Sequence, residues 1–231
     1  MTAQVQKVVV DAILFDMDGT LIDSTPGVLK AWATFSSDYS LGDSERIAHD
    51  THGRRLYDTL KEYCKIADEE RLHEEIDRFE DEVIRGGPVA LPGAVELLNQ
   101  LQTLHSLKWT IVTSASNKYT PGALREAGIP FPQADIVTSN DVPHGKPHPD
   151  PYLAGALKCG VDAKNCLVVE DAISGIKAGH AAGAKVLAVC TSTTRERLLA
   201  AAEPDFIVPD LRSVTVSAVF GDKIEVTIEP A

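Results

Sequence analysis

The sequence predicts an α/β protein. Its core is a doubly wound, Rossmann-like parallel sheet, with an inserted helical cap domain and a C-terminal β-hairpin. Three observations carry that expectation. Short apolar runs alternate with helical patterns through most of the 231 residues. One long interval, about 24–87, has no strand signal. Near the end, two stretches alternate apolar and polar residues about a tight turn.

The apolar runs at 12–15, 109–112, 136–137, 167–169, 186–189 and 206–208 read as buried strands. Near-continuous apolar strands fit a sheet covered on both faces. In the interval without strands, Pro26 suits the first turn of a helix, with Ser24 or Thr25 as cap. Val28, Leu29, Trp32 and Phe35 mark one apolar face, and Leu56, Tyr57, Leu60 and Cys64 mark another. Residues 68–82 then hold nine acidic side chains against Arg71 and Arg78, while Leu72, Ile76, Phe79 and Val83 recur at helical spacing. That combination reads as a helix with a solvated acidic face. Gly86, Gly87, Pro88 and then Pro92-Gly93 return the chain to the core. The expected division is a core of 1–23 and 88–231 with a helical cap at 24–87.

Past the insertion, Leu97, Leu98, Leu101 and Leu104 mark a helix, as do Leu153, Ala156 and Leu157 before Gly160. Gly175, Gly179 and Gly183, four apart, suit close packing of a helix on the sheet. The hairpin is read from Val214, Val216 and Ala218, the Gly221-Asp222 turn, and Ile224, Val226 and Ile228.

Composition narrows the function. The chain carries 22 basic and 34 acidic residues, a net charge of −12, which disfavours a face for nucleic acid. No apolar run approaches the ~18 residues of a membrane span, and the first seven residues lack a secretory leader pattern. Cys64, Cys159, Cys166 and Cys190 are scattered thiols of the kind found in a reducing compartment. The expectation is a cytoplasmic protein with neither nucleic acid nor membrane as partner, its oligomeric state left open.

In a parallel α/β sheet, ligands bind beyond the carboxyl ends of the strands. The residues there are Asp16-Met17-Asp18-Gly19-Thr20, then Thr113-Ser114-Ala115-Ser116, then Gly145-Lys146-Pro147, then Glu170-Asp171. Carboxylates converging in one crevice repel unless a cation neutralises them, and oxygen ligands beside a phosphate suit Mg²⁺. Lys146 and Ser114 would face the anion. An Asp beside such a cation can attack a phosphoryl group, and a second Asp two residues on can act as acid and then base.

In that order and spacing the residues resemble the haloacid-dehalogenase-like phosphatases, from about Asp11 to Val208. The resemblance implies Asp16 as nucleophile and metal ligand, and Asp18 as acid/base with its backbone carbonyl on Mg²⁺. It implies Ser114 on the phosphoryl group with the backbone amides of Met17 and Ala115, and Lys146 tying Asp16 to the phosphoryl charge. Asp171, with Glu170, would hold the metal directly or through water. Relatives that cleave carbon–halogen bonds lack a carboxylate at the position of Asp18, so dehalogenation is disfavoured.

Further runs resemble the fungal glycerol-phosphate and deoxyglucose-phosphate phosphatases, which act on small polyol and sugar monophosphates. They are His52-Gly53-Arg54-Arg55 with Tyr57-Asp58, then Pro92-Gly93-Ala94-Val95, Asn140-Asp141-Val142, and 145–152. Arg54 replaces an aromatic there. Arg55, His52 and Asn117 are expected to touch a small phosphorylated substrate, with a solvated, salt-bridged role as the alternative for Arg55 and His52. The remaining histidines, His49, His73, His105 and His180, carry no ligand spacing, and His144 and His148 flank Lys146. A phosphomutase of the same superfamily would use all four motifs equally. A non-enzymatic receiver-like phospho-acceptor is the rival from another class, and it would leave Asp18 without a role.

Overall fold

The chain opens with β1 (Gln6–Val10), β2 (Ala12–Phe15) and β3 (Ile22–Asp23). Four helices follow: α1 (Thr25–Tyr39), α2 (Ser44–Thr51), α3 (Leu56–Tyr63) and α4 (Glu69–Arg85). After β4 (Val89–Ala90) come α5 (Ala94–Thr103), β5 (Lys108–Ile111), α6 (Tyr119–Glu126) and α7 (Asp150–Lys158). The order ends β6 (Cys166–Glu170), α8 (Ile173–Ala181), β7 (Lys185–Val189), α9 (Arg195–Ala201), β8 (Phe206–Val208), β9 (Val214–Val219) and β10 (Lys223–Ile228). This computed structural model describes residues 4–104, 108–220 and 222–229; the readings made for His105 and Gly221 fall outside them.

Five strands form a parallel sheet in the order β5-β2-β6-β7-β8. The reason is visible in β2, where all four residues are buried but alternate between two cores. Ile13 and Phe15 pack with Leu97 and Leu101 of α5 and with Ile224 and Val226 of β10. Ala12 and Leu14 pack with Tyr152 and Ala156 of α7 and Ile176 of α8. Each large side chain so buried contributes about 1.5–3 kcal/mol, which neither face of a one-sided sheet would supply to both sets.

The run at 136–137 makes only a single bridge, Val112 to Val137, because two residues beside the sheet's edge are too few to continue the ladder. In α7 the buried face is Pro151, Tyr152, Gly155 and Ala156, whereas Leu153 and Leu157 face solvent. A Cβ on Gly155 would come within 2.6 Å of Val112, so small residues, not leucines, let this helix approach the sheet. β1 is not among the strands expected above, although Val8-Val9-Val10 is a β-branched run. It pairs antiparallel with β10, and β10 with β9, making the expected hairpin part of a three-stranded sheet.

The helical insertion is entered through β3 and left through β4, which pair antiparallel. Ser24 stands at the cap of α1, but its hydroxyl does not cap the helix; Asp23 accepts the Thr25 N–H at 2.9 Å instead. Asp68 caps α4 by accepting the Arg71 N–H at 2.8 Å, and Glu69 and Glu70 favour the positive end of the helix dipole. Leu72, Ile76, Phe79 and Val83 are buried as their spacing required. Phe79 meets Trp32 and Phe35 edge to face at 5.1 and 5.2 Å between centroids, joining α4 to α1. One acidic residue departs from the solvated-face reading: Glu80 is buried.

Candidate active site

A cavity of about 800 Å³ separates the insertion from the carboxyl ends of the sheet strands. Asp16 follows β2, Glu170 ends β6 with Asp171 next, and Ser114 follows the β5 end. Lys146 reaches the same place from the loop before α7. The Lys146 ammonium is fully buried and donates to Asp16 Oδ1 at 2.5 Å, Glu170 Oε1 at 2.7 Å and the Val112 carbonyl at 3.2 Å. Burial alone would lower its pKa, but the charges of Asp16 and Glu170 overcome that and raise it.

Glu170 accepts four hydrogen bonds. Lys146 and the Tyr152 hydroxyl (2.8 Å) share Oε1, and the Asp171 and Ala172 amides (2.9 and 3.0 Å) share Oε2. Asp171 takes the Thr20 hydroxyl at 3.1 Å on Oδ1 and the His52 Nε2 at 2.6 Å on Oδ2. Burial would raise the Asp171 pKa, yet His52 holds it below the ordinary range. His52 answers in kind: burial works to lower it, and Asp171, Asp16 and Glu170 raise it to about 9. Asp16 goes the other way, pushed well up by burial and by the Glu170 charge.

Asp16, Glu170 and Asp171 can each offer an oxygen within 4.8 Å of the others, and all three are buried. Three buried carboxylates, one of them driven towards its neutral form, fit a metal ion: a hard divalent cation would offset the repulsion and ionise Asp16. The Asp18 carboxylate is not in this group. Its Oδ1 accepts the Ser24 hydroxyl at 2.6 Å and the Tyr119 hydroxyl at 3.1 Å. Burial raises its pKa while those two donors draw it back, which suits a group that must both give and take a proton.

Ser114, Thr113 and Ala115 line the cavity. The Ser114 hydroxyl donates to the Gly53 carbonyl at 3.0 Å, and the Ala115 amide to Thr113 Oγ1 at 3.0 Å. Met17, whose amide is expected at the phosphoryl group, is wholly buried and does not line the cavity. His52 lines the cavity beside Gly53. Gly53 has φ +72°, and a Cβ there would come within 2.5 Å of Ala172, so only glycine lets the insertion loop lie this close over the carboxylates.

Two further residues expected at the substrate, Arg55 and Asn117, also lie elsewhere. Arg55 is held by Asp58 at 2.9 and 3.0 Å and donates to the Val142 and Pro143 carbonyls at 3.3 Å; it bridges the insertion to the loop before Lys146 and does not line the cavity. Asn117 is exposed, its amide bound to Asn140 Oδ1 at 2.9 Å, and it too is off the cavity. Arg54 does line it, paired with Glu62 at 2.5 Å. Sequence reasoning misses Tyr152, Thr20, Ser24, Tyr119 and Glu80. Thr20 and Tyr152 lie inside the motifs and could be found there; Ser24 and Glu80 depend on contacts between the insertion and the core, and Tyr119 on the approach of α6 to Asp18.

The helix after Glu170 supports the site from behind. A Cβ on Gly175 would sit 1.6 Å from Glu170 Oε1, and that carboxylate is fixed by its four donors. Gly175→Ala is expected to cost about 3 kcal/mol by overpacking and to lower activity with it, read as a falling urea midpoint. An unchanged midpoint would mean that Glu170 is free to move.

Comparisons with known proteins agree with this arrangement. The haloacid dehalogenase-like hydrolase profile matches residues 10–183. Hexitol phosphatase A of Escherichia coli is 37% identical over 206 residues, 88% of this chain and 93% of that protein. Glycerol-1-phosphate phosphohydrolase 2 of Saccharomyces cerevisiae is 34% identical over 202 residues, 83% and 79% of the two chains. The crystal structure of a hydrolase from Pseudomonas syringae superposes with a TM-score of 0.75 at 28% identity, covering 87% of this chain and 93% of the other. Among the described residues, no helix is long and apolar enough to cross a membrane.

Proposed function

Because the chain belongs to the haloacid dehalogenase-like hydrolases, we propose that it hydrolyses small sugar or polyol phosphomonoesters through an aspartyl-phosphate on Asp16, with Mg²⁺ as its metal. The observation that carries this reading is the buried Lys146 ammonium, bonded at once to Asp16 and Glu170 beneath the insertion.

Asp16 and Asp171, with Glu170 behind them, would hold the metal. When bound, Mg²⁺ supplies positive charge to the phosphoryl oxygens and keeps Asp16 ionised. Lys146 occupies one oxygen of Asp16 and leaves the other to attack phosphorus. The new bond joins Asp16 to phosphorus as the ester bond breaks, and the leaving alkoxide takes its proton from Asp18. Asp18, now a base, removes a proton from water, which attacks phosphorus and releases orthophosphate, restoring Asp16. Ser114 would bind a phosphoryl oxygen by turning its hydroxyl from the Gly53 carbonyl, and the insertion would cap the substrate and exclude bulk water.

The test is orthophosphate release across hexitol, glycerol and deoxyhexose phosphates. Turnover is expected with Mg²⁺, falling to background in EDTA and returning when Mg²⁺ is restored. Release that needs a sugar bisphosphate would favour the mutase. No release from any of these esters would overturn the reading.

A further inference from the structure

Glu80 is the one buried carboxylate among the nine at 68–82, and the reaction gives it no part. A buried carboxylate costs several kcal/mol unless it is hydrogen-bonded, so what it bonds to is informative. Both its oxygens are committed to one residue of the core: Glu80 Oε1 accepts the Ser116 N–H at 3.0 Å, and Oε2 accepts the Ser116 hydroxyl at 2.5 Å. The Ser116 hydroxyl in turn accepts the backbone N–H of Tyr119 at 3.2 Å. Tyr119, the first residue of α6 and itself buried, then donates its phenol hydroxyl to Asp18 Oδ1. Hydrogen bonds, joined through the covalent body of Tyr119, therefore connect the helical insertion to the Asp18 carboxylate.

We propose that Tyr119 positions Asp18, and that Glu80 positions Tyr119 through Ser116, so that the acid is aimed at the leaving oxygen only while the insertion is seated on the core. The proposal rests on the reading of Asp18 as general acid. Tyr119 and Glu80 both line the cavity, and their hydrogen bonds give them a role that acts through Asp18. With Oδ1 fixed by Ser24 and Tyr119, Oδ2 is the oxygen presented to the substrate. Losing the phenol leaves the serine as sole anchor and lets the carboxylate turn. A misplacement of this kind lowers the rate without removing any group from the reaction.

The leaving group provides a readout that a merely structural role would not move. An alkyl phosphate such as glycerol phosphate must have its departing oxygen protonated, whereas 4-nitrophenyl phosphate expels a stabilised phenolate without help. kcat/KM reports the steps up to that departure, so it isolates the acid from the later hydrolysis of the aspartyl-phosphate. Tyr119→Phe is expected to lower kcat/KM on glycerol phosphate about tenfold and on the aryl ester less than about twofold. Glu80→Gln, nearly isosteric, is expected to discriminate in the same direction by a smaller factor. The double variant should lose less than the product of the two single losses, because one chain is broken twice. Equal losses on both esters, or no loss on either, would overturn the proposal, as would single effects that simply multiply. Asp18→Asn is the control. If it does not discriminate between the esters, the general-acid reading falls and takes the proposal with it. If it discriminates while Tyr119→Phe does not, only the positioning role is lost.

Discussion

Asp16→Asn is expected to fold as well as the parent and to release no measurable orthophosphate, with kcat down by about 10⁴-fold or more. The amide oxygen keeps the shape of the carboxylate but is a poor nucleophile. Folding is spared for an electrostatic reason. Asp16 is buried among carboxylates and is pushed well above the ordinary range by burial and by Glu170, so its charge is a cost in the metal-free protein. Lys146 keeps Glu170 and the Val112 carbonyl as partners when that charge is removed. The thermal midpoint should therefore hold or rise while turnover vanishes, and acid-quenched protein should carry no phosphoryl label. Turnover within tenfold of the parent would end the covalent route, whatever the stability showed.

The core groups of this site are legible in the sequence because they sit on strand ends. A buried parallel strand is a short apolar run, and its carboxyl end is the next polar residue, so Asp16, the Thr113-Ser114 pair and the Glu170-Asp171 pair follow from local pattern, while the family resemblance singles out Ser114 and Asp171 within them. Lys146 is legible in another way, as a lone cation in a proline-rich loop between strands. The insertion's inner surface is not legible. Arg55 and Arg54 are adjacent and chemically alike, yet a contact with Asp58 and two loop carbonyls takes one away from the cavity. Glu80 sits in a run of acids that its neighbours make look uniformly solvated, and only the approach of Ser116 sets it apart. Val8-Val9-Val10 is legible as a β-branched run, but its place outside the parallel sheet depends on pairing with β10, more than 200 residues away in the chain. Periodicity reports what a segment does alone; these features belong to pairs of segments.

Lys146→Met is expected to produce a second large effect, on stability as well as rate. The methionine fills much of the volume but leaves Asp16 and Glu170 buried without their cation. Breaking a buried pair from one side costs about 3–5 kcal/mol, because the orphaned charges remain. Glu170 keeps Tyr152 and two backbone amides, so the loss should fall within that range and not beyond it. Turnover should fall by about 10²–10³-fold, the usual consequence of removing one charge-stabilising donor from a reacting centre. The dependence on pH separates electrostatics from packing. Without Lys146 the Asp16 carboxyl, already raised by burial and by the Glu170 charge, loses the cation that draws it down and rises further above its unfolded value. A carboxyl raised in this way stabilises the fold fully only below its unfolded pKa, and that contribution is lost as pH climbs through the folded value. The deficit in unfolding free energy relative to the parent should therefore shrink as pH is lowered from the alkaline to the acid side of neutrality, measured by urea titration with the slope unchanged. A deficit that stays constant over that range would assign the loss to the missing side-chain contacts, and Lys146 would then be a packing residue that happens to carry a charge.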